Sequence, residues 1–167
     1  MNATPAPRIV SGGQTGVDRG ALDAALAAGV PAGGWCPKGR RAEDGRIPLR
    51  YPLREMPTAD YAARTLQNVL DSDGTVILHF GALRGGTALT ARYCREHGKP
   101  CLLIDGQRAS PAQAGARMAE FVRRHRIHTL NVAGPRASNA PQAQDYARAA
   151  VREMLRRLSP QPEGAMD

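Results

Sequence analysis

Residues 11–18 read Ser-Gly-Gly-Gln-Thr-Gly-Val-Asp, with three glycines inside five positions. The apolar pair Ile9-Val10 precedes them and an alanine- and leucine-rich run follows. A glycine turn that opens a helix suits an anion. The backbone can approach closely, and the helix's first N–H groups point outward without partners. Gly12, Gly13, Gln14, Thr15 and Gly16 are therefore candidates to hold a phosphate. The turn is not a Walker A loop, because no Gly-Lys-Ser/Thr follows, and it is not G-x-G-x-x-G either. A second turn, Gly85-Gly86-Thr87, follows the most apolar strand candidate in the chain. Thr87 is expected to cap the next helix or to donate to an anion. Arg84 flanks this turn and Arg136 flanks a third loop. Either guanidinium can fork onto a phosphate or carboxylate, or stand solvated. The expectation is that amides at the heads of both helices converge on one anionic ligand.

Asp18 does not suit a pure anion cradle, since a carboxylate beside a phosphate is repulsive. It completes a capping box with Thr15, or accepts from ribose hydroxyls or a ring nitrogen, or holds a metal. A second cationic stretch runs from Trp35 to Arg41. Lys38, Arg40 and Arg41 are either phosphate clamps or exposed loop charges. Trp35 is either a stacking platform or a core anchor. Cys36 reads as a small buried hydrophobe or as a thiolate lowered by three cations. Glu43 and Asp44 are weak catalytic candidates beside Asp18. His79 ends a strand near the proposed site, while His125 and His128 have no partner at ligand spacing. No metal site is expected.

These residues need elements to place them. Strands are expected at 8–11, 33–36, 74–80, 101–104 and 128–133. Helices are expected from near Gly16 to Ala28, from Thr58 or Asp60 to Leu70, from Thr87 to His97, over 111–125, and after the 134–141 turn. On the last helix Ala147, Ala150, Val151, Met154, Leu155 and Leu158 share one face. Cys94 and Cys101 are placed in the core. The stretch 36–57, rich in proline and charge, reads as an excursion loop, functional or mobile. Alternating strands and helices predict an α/β fold: a Rossmann-like open, mainly parallel sheet with helices on both faces. Its ligands belong at the carboxyl edge, where loops 11–18, 81–87 and 133–140 leave the strands. Residues 8–158 form one domain in this reading, with tails at 1–7 and 159–167.

The chain of 167 residues suffices for one such domain. Aromatics are only 4%, so the core must be aliphatic. No apolar run approaches the ~20 residues of a membrane span, and no signal peptide is visible. Three cysteines without a C-x-x-C pair argue against a disulfide framework or zinc knuckle and for a reducing cytoplasm. The formal charge of +8 is almost all arginine, with lysine only at 38 and 99. Scarce aromatics make nucleic acid a poor candidate partner. If the charge did serve nucleic acid, binding would weaken steeply with salt.

Taken together, VSGGQTGVDRGALDAAL, GGWCPKGRRAEDG, SDGTVIL, GGTALT and NVAGPR resemble the molybdenum carrier family. That family looks like a circularly permuted branch of the LOG/DprA-like superfamily. The resemblance implies a Rossmann-like sheet, a nucleotide or nucleotide-derived ligand at the glycine loops, and a homo-oligomer. It also implies the molybdenum cofactor, a phosphate-bearing pterin. LOG phosphoribohydrolases carry G-G-x-G-T-x-x-E, whose Glu is catalytic. Here Thr90 stands at that position. The sequence thus favours a carrier for a small anionic ligand, with a nucleotide hydrolase or nucleic-acid binder as alternatives.

Overall fold

The computed structural model describes residues 4–159. In chain order the elements are β1 (Arg8–Val10), α1 (Val17–Ala28), β2 (Ala32–Gly33), β3 (Trp35–Cys36), β4 (Arg41–Ala42), β5 (Gly45–Arg46) and β6 (Arg54–Glu55). There follow α2 (Tyr61–Leu70), β7 (Gly74–His79), α3 (Gly85–Glu96), β8 (Cys101–Asp105), α4 (Pro111–His125), β9 (Thr129–Ala133) and α5 (Ala143–Arg157). The main sheet has the order β2-β1-β9-β7-β8, and every pairing in it is parallel. The chain moves outward from β1 to β2 on one side and from β7 to β8 on the other. Right-handed crossovers therefore put α1 and α3 on opposite faces. The helix α5 packs between α1 and α4, while α2 packs on α3. This is the expected α/β, Rossmann-like arrangement with helices on both faces.

The apolar run in β7 is buried from Gly74 to Leu78 because β9 and β8 flank it. On α5 the whole expected apolar face is buried. A left-handed Gly29 (φ 69°) ends α1. Asp60 caps α2 by accepting from the Ala62 amide at 3.0 Å. The expectation for β8 needs correction. It is an edge strand, so Cys101 is exposed rather than in the core. Cys94 is buried.

The stretch 36–57 is a packed lobe. β3 pairs with β6, β4 with β5, and Cys36, Ile47 and Tyr51 bury against Leu22 of α1. Arg40 organises it. Its buried guanidinium donates to the carbonyls of Ile47 (3.1 Å), Pro48 (2.7 Å) and Tyr51 (2.9 Å). It is therefore structural and not a phosphate clamp. Tyr51 donates its hydroxyl to Asp23 of α1 at 2.6 Å. At the other end of the chain, Ala6 is buried and its amide donates to Ser159 at 2.5 Å. That part of the expected N-terminal tail is docked. Residues 1–3 and 160–167, the rest of the expected tails, lie outside the described residues. Among the described residues no helix is long and apolar enough to cross a membrane.

The helices α1 and α5 cross where Gly20 has no side chain. A Cβ there would meet the Gln144 carbonyl oxygen at 2.3 Å. Gly20→Ala is expected to lower stability by about 1–3 kcal/mol through overpacking. Thermal unfolding measures this, and a variant as stable as the wild type would contradict so close a crossing.

Candidate functional site

Loops 11–18, 81–87 and 133–140 leave β1, β7 and β9 at their carboxyl ends. They meet where the sheet connections diverge, the usual ligand crevice of an open α/β sheet. A cavity of about 820 Å³ lies there. Gly12, Gln14 and Asp18 line it from the first loop, Arg84 to Thr87 from the second, and Arg136 from the third. Gly13, Thr15 and Gly16 form the turn behind this wall and are not among the lining residues.

The two glycine turns differ in what their helix heads can do. At α1, Gly16 is the N-cap (φ 85°) and lies against the third loop. The Val17 amide donates to the Pro135 carbonyl at 3.2 Å. A Cβ on Gly16 would meet that carbonyl oxygen at 2.4 Å. Thr15 accepts from the Ala137 amide at 3.0 Å and donates to Glu43. The expected Thr15–Asp18 capping box therefore does not form. Thr15 lies one residue before the cap and is committed to the third loop. Asp18 instead accepts from the Gln14 amide at 3.1 Å.

The head of α3 is open. Arg84 is its N-cap, and Thr87 is the third helical residue rather than the cap. The first intrahelical bonds come from Thr87 and Ala88 to the Arg84 carbonyl, at 3.1 and 3.2 Å. This leaves the Gly85 and Gly86 amides ahead of the hydrogen-bond ladder. Both glycines are exposed, and a Cβ on either would meet nothing within 4 Å. The expected convergence of two helix heads thus reduces to one open head, α3, facing a wall built on the other.

Asp18 is the only carboxylate lining the cavity among the described residues. Burial raises its pKa above the ordinary carboxyl value, against the opposing pull of Arg64 and the Gln14 amide. Arg64 of α2 is the functional candidate that sequence reasoning missed. It is buried, lines the cavity, and donates to the Gly12 carbonyl at 2.7 Å. It falls four residues from Asn68 on the face of α2 that the structure buries, a face the sequence alone does not single out. Gln14 is half satisfied. Its Oε1 accepts from the Thr15 and Glu43 amides at 3.1 and 2.9 Å, while its buried Nε2 has no acceptor among the described residues.

Other candidates stand elsewhere. Glu43 accepts from the Ser138 amide at 3.1 Å and its hydroxyl at 2.5 Å, and lies 3.9 Å from Arg136. Asp44 forms a bidentate pair with Arg19 at 2.6 and 2.7 Å, which holds its carboxyl below the usual range. Neither lines the cavity; both fasten the lobe to the glycine turn. Lys38 and Arg41 are exposed on that lobe, outside the cavity lining. Trp35 donates its ring N–H to Asp71 at 2.7 Å. Cys36 is buried, and burial pushes its thiol pKa up, so it is no thiolate nucleophile. Thr90 lines the cavity and donates to the Gly86 carbonyl at 2.9 Å. No group of three or more His, Cys, Asp or Glu residues is placed to hold a metal among the described residues.

An open parallel sheet with a polar crevice at its carboxyl edge defines a Rossmann-like α/β domain. Comparison with known proteins narrows the class. The chain belongs to the circularly permutated YpsA SLOG family, whose profile matches residues 9–155. This agrees with the resemblance read from the motifs. The crystal structure of the "Putative molybdenum carrier protein" from Syntrophus aciditrophicus SB is similar to it. The two are 47% identical, with a TM-score of 0.89, over 92% of this chain and 98% of the other. No curated protein matches.

The raised pKa of Asp18 has a sign that can be tested. The folded chain holds this proton more tightly than the unfolded chain. Its contribution to stability is therefore lost as pH rises from the ordinary 3.8 through the raised folded value. Asp18→Asn, which keeps the acceptor for Gln14, is expected to raise the melting temperature at pH 7. The gain should shrink as pH falls toward the ordinary carboxyl value. A variant destabilised equally at both pH values would contradict the burial argument.

Proposed function

We propose that the chain is a binding or carrier protein for a nucleotide-like anionic ligand, with molybdenum cofactor as the leading candidate. One observation carries this reading: the Gly85 and Gly86 amides open into an 820 Å³ cavity that Arg64, Arg84 and Arg136 also line. Helix-head amides and guanidinium groups are the usual partners of a phosphate. Asp18 and Gln14, at the opposite wall, offer an acceptor and an unmatched donor to a polar ring. The neighbour's name supports molybdenum as the cargo. A phosphate-bearing pterin suits this donor set, with the phosphate at Gly85–Gly86 and ring N–H groups toward Asp18. No metal-ligating cluster lies among the described residues, so the metal would be held by the cofactor. In this reading the chain binds, orients and shields the ligand without changing it.

A hydrolase remains the second reading, because Asp18 lines the cavity with a raised pKa, as a general acid would. It rests on Asp18 alone, since Glu43 and Asp44 are bound elsewhere. Incubation with nucleoside monophosphates decides it: release of free base or phosphate would establish turnover, and intact nucleotide would end the idea.

The binding reading is tested by thermal shift. A nucleotide or molybdopterin is expected to raise the melting temperature by mass action. Gly86→Asp separates fold from function. The new side chain has space, and a carboxylate in the first turn suits the helix dipole, so the fold should hold. Affinity for the anion should fall at least about tenfold, roughly 1.4 kcal/mol. Undiminished binding in Gly86→Asp would remove the phosphate from this turn.

A further inference from the structure

His79 lines the cavity, and the binding of a ligand as described so far gives it no task. It is the last residue of β7, just ahead of the loop that opens α3. Its Nδ1 lies 2.7 Å from the Gly81 carbonyl oxygen. A carbonyl oxygen only accepts, so Nδ1 carries a hydrogen and donates it. The turn that presents this carbonyl is itself held. Asp105 of β8, the register partner of His79, accepts from the Gly81 amide at 3.2 Å and from the Gln107 amide at 2.9 Å. The Gly106 amide donates to the His79 carbonyl at 2.7 Å. One ring nitrogen thus orients the imidazole, and among the described residues Nε2 has no hydrogen-bond partner. With Nδ1–H fixed, Nε2 accepts when the ring is neutral and donates when it is charged.

We propose that His79 Nε2 contacts the anionic group of the ligand, and that its protonation couples anion binding to proton uptake. This rests on the binding of an anion at Gly85 and Gly86. The charged groups around the ring set the sign. Arg64 of α2, Arg84 at the head of α3 and Arg136 of the third loop line the same cavity, as does Asp18 of α1. Asp105 stands beside the ring on β8, but two amides occupy its carboxylate and Arg108 lies 3.9 Å from it. Tyr146 of α5, packed on Phe80, spends its hydroxyl on the Ala109 carbonyl at 2.8 Å. A proton added to the empty crevice places a further cation among the arginines, which like charges oppose. A bound dianion reverses that balance, and Nε2–H then donates to it in a charge-assisted hydrogen bond. Proton and anion therefore favour each other, and a rise in pH favours release.

The test follows the His79 ring by NMR from about pH 5.5 to about pH 8, in sulfate and in chloride at equal ionic strength. Sulfate keeps its charge over this range. The Gly85 and Gly86 amide signals report whether sulfate binds. In sulfate the His79 titration midpoint is expected to move to higher pH. Sulfate affinity is expected to fall roughly fivefold or more from the acid to the basic end. His79→Gln is expected to keep the amide response and to lose most of that pH dependence. Both comparisons are repeated in Asp18→Asn, so that the Asp18 proton cannot mimic the effect. Amides that respond while the His79 midpoint stays in place overturn the role of His79 and leave the anion site standing. Amides that do not respond to sulfate remove the anion site, and the role of His79 with it.

Discussion

The approach of Gly16 to the Pro135 carbonyl is the constraint on which the crevice depends. It brings the first and third loops within hydrogen-bond distance and ties the first amide of α1 to the third loop. Any side chain at Gly16 would push the two loops apart. Glu43 adds a second fastening from the lobe, since Thr15 and Ser138 both donate to its carboxylate. With that wall closed, the open amides at the carboxyl edge are those of α3. The anion-binding capacity of the fold is thereby concentrated on Gly85 and Gly86.

The surplus of arginine takes on a structural meaning in this arrangement. Arg19, Arg40 and Arg64 are buried, and each donates to backbone carbonyls. A guanidinium carries five donors in a rigid fork, so one side chain can hold several carbonyls that no regular ladder reaches. Arg40 does this for the lobe, while Arg19 and Arg64 fix the carbonyls of Gly13 and Gly12. Part of the basic charge is thus glue for irregular backbone. Arg84 and Arg136 remain at the cavity as candidates for ligand contact.

Much of the sheet could be read from local pattern. The buried run of β7, the apolar face of α5 and the stop at Gly29 each follow from spacing that tertiary packing reinforces. The failures share a cause. Thr15 and Asp18 have capping-box spacing, but a partner 122 residues away takes the Thr15 hydroxyl. The box that does form, Ser110 with Gln113, has the same local form and no such competitor. The lobe lacks any period because Arg40, not a repeating apolar face, orders it. Cys101 looks like a core strand residue, yet strand order puts it on an edge. For the site, composition and spacing indicated the glycine turns and Arg136. Arg64 required knowing which face of α2 is buried.

A crystal structure of the chain with whatever ligand copurifies under native conditions tests the central claim most directly. The account predicts an anionic group hydrogen-bonded to the Gly85 and Gly86 amides, with the rest of the ligand extending toward Asp18 and Gln14. A ligand bound outside the crevice, or one whose anionic group turns away from the head of α3, would contradict it.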